Sequence, residues 1–99
     1  MIDDDAELQQ AVERLHSCKA VHYRVVPVTE RWQGKVAWDG LVHVFKLEGH
    51  PSADHAFAWS SSIDGSTKRR YFAVLEAAPI ASAEDAVRAA IVAEHRAQS

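Results

Sequence analysis

Six histidines stand in this chain of 99 residues: His16, His22, His43, His50, His55 and His95. Imidazole exchanges protons near neutral pH and ligates metals, so this density raises acid–base or zinc chemistry first. Four of the six have local explanations. His16 sits beside a helical stripe, His22 and His43 fall in strand-like runs, and His95 serves a helix end. Only Glu48, His50, Asp54 and His55 gather in one loop, where two imidazoles and two carboxylates could converge on Zn²⁺ or pass a proton, with His43 joining from the preceding strand. No HExxH and no cysteine pair supports such a site. Asp54 ahead of a strand is also an ordinary turn residue, and a solvated loop is the competing reading. If the protein is an enzyme, His43, Glu48, His50, Asp54 and His55 are where its proton-transfer groups cluster; no cofactor or metal is implied beyond that.

Other chemistries find less support. Cys18 stands alone, so it has no intramolecular disulfide partner, and it falls near a helix end as a small apolar residue would. The four glycines form no phosphate-cradling loop, and no serine occupies a G-x-S-x-G elbow. Ser60, Ser61 and Ser62 read as the solvated end of a hairpin strand. The formal net charge of -3 argues against a general polyanion binder. Lys68, Arg69 and Arg70 form the basic run, beside a hairpin tip where solvated charges are usual.

The elements that must position these groups follow from periodicity and punctuation. A composition of 47% hydrophobic and 25% charged residues belongs to an ordinary globular domain, and the length suits one core. No apolar stretch approaches the roughly 18 to 20 residues that a bilayer crossing needs. The acidic opening Met1-Ile2-Asp3-Asp4-Asp5 is unlike an export signal, which points to the cytoplasm. A first helix is expected from Asp4, with Glu7 completing a capping-box pair and Leu8, Ala11, Val12 and Leu15 making its buried stripe. Ala20 to Arg31 is β-branched or aromatic with interspersed polar residues, hence a strand, and Pro27 places it at a sheet edge or beside a bulge near Val26. Gln33-Gly34 and Asp39-Gly40 are turn signals, leaving Lys35 to Trp38 as either a short strand or a loop. Leu41 to Glu48 reads as a strand with one fuller apolar side.

His55 to Ser60 and Arg69 to Leu75 form a hairpin around Asp64-Gly65. A two-residue turn there pairs Phe57 with Phe72, Ala58 with Tyr71, and Trp59 with Arg70, the last as a cation over an indole. A longer turn shifts every pair. Ser82 caps a final helix whose stripe is Ala83, Ala86, Val87, Ala90 and Ile91. The fold class is α+β: helix, three or four antiparallel strands, helix, with both helices expected on one face of the sheet.

That order is similar to a double-stranded-RNA-binding domain. The RNA-binding family carries lysines at the start of its second helix, where this chain has Glu84 and Asp85, so nucleic acid is not expected as a partner. A second resemblance is carried by Trp38-Asp39-Gly40, Val44-Phe45, Gly49-His50-Pro51, Ala58-Trp59-Ser60 and Arg69 to Leu75. These stretches resemble a group of short bacterial proteins of unknown function over roughly residues 32–95. The resemblance implies a stand-alone domain and transfers no catalytic residue.

The remaining signal is aromatic. In the last hairpin Phe57, Trp59, Phe72 and Val74 share one face, while Ala56, Ala58 and Ala73 lie on the other. If both helices cover the alanines, the aromatic face points outward and marks an interface, with Phe57, Trp59, Arg70 and Phe72 as contacts and a homodimer as the commonest way to cover it. The alternative is that the aromatic face is itself core. The expectation is a small protein-interaction or assembly module, with a histidine-dependent enzyme or metal site as the alternative.

Overall fold

Two long strands, β1 (Lys19–Trp32) and β2 (Lys35–Glu48), turn back on each other through Gln33 and Gly34. Both turn residues have positive φ, 53° and 82°, as a two-residue hairpin whose twist matches its strands requires. The computed structural model describes residues 4–62 and 69–98. Strands β3 (His55–Ser62) and β4 (Arg69–Leu75) extend the sheet in the order β1-β2-β3-β4, every neighbour antiparallel. Helix α1 (Asp4–His16) precedes the sheet and α2 (Ala83–Gln98) follows it, so the chain is α+β in the order α-β-β-β-β-α. No helix among the described residues is long and apolar enough to cross a membrane.

The helices lie on opposite faces of the sheet, not together on one. Leu8 and Val12 of α1 pack with Ala20, Phe45, Leu47, Ala56 and Ala58. Ala83, Ala86, Val87 and Ile91 of α2 pack with Val28, Val42, Val44, Phe57 and Trp59. The middle strands explain the division. Alternation along β2 puts Val42 and Val44 on one side and Phe45 and Leu47 on the other, all buried, and a strand apolar on both faces needs a layer on each. Side-chain size then sorts the helices. Along β3 the bulky Phe57 and Trp59 meet the alanine-rich helix, and Ala56 and Ala58 meet the helix carrying Leu8 and Val12, so volumes interdigitate.

Local chemistry fixes each helix. Asp85 N–H donates to Ser82 Oγ at 3.1 Å, and Ala81 N–H donates to Asp85 Oδ2 at 3.2 Å, a reciprocal cap at the start of α2. Helix α1 ends at His16, and Ser17 turns the chain at φ 54°. Gln9 Nε2 then donates to the Ala20 carbonyl at 2.7 Å, and Glu13 Oε2 accepts from Ala20 N–H at 2.9 Å, clasping the first turn of the edge strand.

Strand β1 is an edge strand, as Pro27 requires, but its ladder with β2 shifts register away from Val26: once between Glu30 and Arg31, where Ala37 of β2 is extra, and once between His22 and Arg24. Tyr23 is the extra residue there. The bulge resets alternation, so Val21 before it and Val26 and Val28 after it share the α2 face. Lys35 to Trp38 is strand, continuous with β2, and Asp39-Gly40 is no turn: Gly40 pairs with Val28 inside the ladder. A Cβ on Gly40 would come within 2.9 Å of the Trp38 ring, so glycine provides the seat for that indole. In the last hairpin Trp59 faces Phe72 and Phe57 faces Val74, two residues along from the pairing a two-residue turn gives. Ser62 opposes Arg69, and the Asp64-Gly65 signal lies outside the described residues.

Candidate functional site

The residues of the 48–55 loop do not converge. His50 Nδ1 accepts from the N–H groups of Ser52 and Ala53 at 3.1 and 3.2 Å, so this imidazole holds the turn after Pro51. Its ring approaches His16 edge-on at 6.2 Å. Glu48 ends β2 opposite Lys19, exposed, and Asp54 contributes its carbonyl to Leu47 N–H at 2.8 Å. His55 begins β3 with the same parity as Phe57 and Trp59, which turns it toward the α2 side. His43 lies on the other face, where its Nδ1 is 3.1 Å from His22 Nε2. Among the described residues no group of three or more His, Cys, Asp or Glu side chains could hold a metal ion. Loop proximity in sequence is undone by the strand start at His55, which reverses the direction of the side chain.

The aromatic face is core. Phe57 and Trp59 are each 2% exposed beneath α2, and Trp59 stacks on Phe72 with ring centroids 5.1 Å apart and planes 9° from parallel. Arg70 crosses the Phe72 ring at 5.0 Å, in place of the expected contact with Trp59, and its Nη1 reaches Glu94 of α2 at 3.4 Å. The four residues expected to form an outward interface therefore join β3 and β4 to the second helix. Two further contacts fasten that helix along β1. Arg88 Nε donates to Glu30 Oε1 at 2.8 Å, and His95 stacks on Trp32 at 4.5 Å. Glu30 is the buried charged residue among those described, and its hydrogen bond and charge hold the Arg88 guanidinium above its ordinary pKa.

The uncovered surface is on the opposite side of the β1–β2 ribbon. Helix α1 packs on β3, β4 and the base of the ribbon, and does not extend along its length. Beyond it, Val25 pairs with His43, Pro27 with Leu41, Thr29 with Asp39 and Arg31 with Val36, all on the α1 side. Val25 is 40%, Val36 53% and Leu41 56% exposed, whereas Val28, Val42 and Val44 on the reverse of the same ribbon are at most 3% exposed. One face of the ribbon is thus covered by a helix, and the other presents aliphatic side chains to solvent. The sequence carried this signal in the alternation of β1, but the bulge at Tyr23 hid which residues share a side.

A cleft of about 410 Å³ opens on the α2 side, between the first turn of α2 and the sheet. His55 stands on its wall with Nδ1 3.4 Å from Glu76 Oε1, and the backbone bond from Glu76 N–H to the His55 carbonyl at 2.9 Å sets the two residues side by side. Tyr23, displaced by the bulge, brings its ring to 5.5 Å from His55. The arrangement is a histidine oriented by a carboxylate at the rim of a small, mixed-polarity hollow. No family model, curated protein or solved structure matches this chain.

Proposed function

We propose that the protein is a small cytoplasmic assembly module that forms a homodimer through the uncovered face of the β1–β2 ribbon. The observation that carries this reading is the contrast between the two faces of one ribbon, with Leu41 56% exposed and its neighbour Val42 fully buried. A sheet in a layered domain is ordinarily covered wherever it is apolar, and exposed aliphatic side chains grouped on one face, here Val25, Pro27 and Leu41 with Val36 beyond the hydrogen-bonded Thr29–Asp39 pair, mark a contact site. A two-fold axis uses the same patch on both subunits and is the commonest solution. Eight residues of strand from Val25 to Trp32 span about 26 Å at ~3.3 Å per residue. Two strands about 4.8 Å apart make a ribbon roughly 10 Å wide, hence a face of about 260 Å²; that is small beside the roughly 800 Å² per partner of a standard interface, so the dimer is weak and depends on concentration.

The test is native mass spectrometry and light scattering on wild type and Leu41→Glu at matched concentrations. The reading predicts a wild-type dimer and a monomeric variant with an unchanged circular dichroism spectrum, because Leu41 makes no core contact in one protomer. A wild type that stays monomeric at hundreds of micromolar, or a variant that still dimerises, contradicts it.

A further inference from the structure

The cleft beneath the first turn of α2 carries a pattern of charge that the assembly reading does not use. Its sheet wall carries the Arg24 guanidinium, lying over the Tyr23 ring at 5.9 Å, and the His55 imidazole, whose Nδ1 faces Glu76. Its helix wall is anionic, with Glu84 lining it from the first turn of α2. Arg24 and Glu84 form no ion pair with each other. Between the walls the floor is aliphatic, built on Val26, Val44 and Ala83. The volume lies at the low end of the range for ligand pockets, about 300 to 1,000 Å³, so the occupant is small.

The geometry points to this cleft as a binding site for a small apolar α-amino acid, its carboxylate held by Arg24 and His55, its ammonium by Glu84, and its side chain on the aliphatic floor. A guanidinium is a charge-matched donor for a carboxylate, and with Nδ1 of His55 facing Glu76 at 3.4 Å, Nε2 is the ring nitrogen left to meet the ligand. Lys46, opposite His55 in the β2–β3 ladder, adds positive charge on the same side. Glu84 also lies in the field of Arg88 farther along α2, and still lines the cleft with its own charge. Both charges of the ligand are required, because a monovalent analogue leaves one wall desolvated and unmatched.

The experiment is a titration of wild-type protein with leucine, followed by calorimetry and amide chemical shifts, alongside 4-methylpentanoate, which lacks the amine, and 3-methylbutylamine, which lacks the carboxylate. Leucine is expected to bind and to shift amides at Tyr23, Arg24, His55 and Glu84. Each analogue, and leucine with Arg24→Gln or Glu84→Gln, is expected to bind about tenfold or more weakly. Both substitutions are at exposed or half-buried side chains, and unchanged circular dichroism separates lost binding from lost folding. No shifts with leucine at about 10 mM, analogues that bind as well as leucine, or variants that bind unimpaired would each overturn the assignment.

Discussion

Replacing Trp59 with alanine removes an indole that is 2% exposed, stacked on Phe72 at 5.1 Å and tilted against Trp38 at 6.1 Å. Deleting a buried tryptophan costs about 3 to 5 kcal/mol, the transfer of the side chain plus the cavity left behind. Helix α2 closes the cavity on one side and the β-ladder on the other, while Phe72 at its margin can shift partway in, so the middle of that range, about 4 kcal/mol, is expected here. A domain of this size holds about 5 to 15 kcal/mol in total, so the loss is a large fraction of its stability. With a urea slope of about 1 to 3 kcal/mol per molar, the unfolding midpoint falls by about 2 M. Far-UV circular dichroism is the assay, because the substitution removes a fluorophore. The control is Leu41→Ala, at a side chain 56% exposed, which should stay within about 0.5 kcal/mol of wild type. A Trp59→Ala midpoint within about 0.5 M of wild type, at unchanged slope, would refute the burial of the aromatic face beneath α2.

Two further substitutions probe how the layers are held. Gly40→Ala places a methyl within 2.9 Å of the Trp38 ring, which is packed against Trp59, and should cost about 1 to 3 kcal/mol in a thermal or chemical melt; a neutral result means that the indole is free to move aside. Arg88→Ala strands the Glu30 carboxylate, 9% exposed, without its 2.8 Å partner, and should lower the melting temperature, whereas adding Glu30→Gln to that variant should restore part of the loss. A double variant no better than Arg88→Ala alone shows that the ion pair does not fasten α2 to β1.

Local chemistry was legible in the sequence, and long-range choices were not. The start of α2 after Ser82 follows from capping residues within a turn of the site they serve, α1 begins at Asp4, and Pro27 betrays an edge strand because it lacks one donor. The side taken by each helix was hidden, because Ala56 and Ala58 on one face of β3 and Phe57 and Trp59 on the other are both good partners for an amphipathic helix. The bulge at Tyr23 has neither Gly nor Pro to announce it, yet it decides which valines of β1 are buried. Gly40 looked like half of a turn, but its reason is the Trp38 ring above it. His50 and His55 are five residues apart and belong to different surroundings, one bonded to its own turn and the other paired with Glu76. The surface offered for assembly moved with these choices, from the aromatic face to the aliphatic side of the β1–β2 ribbon.

The central claim is that the two sides of that ribbon differ, one closed by α2 and the other open to a second copy. Methyl-resolved NMR across a dilution series tests it most directly. The account predicts that the methyl resonances of Val25, Val36 and Leu41 move with concentration while those of Val28, Val42 and Val44, on the α2 side, stay fixed. Concentration-dependent shifts confined to the buried set, or none in either set up to the highest soluble concentration, would contradict it.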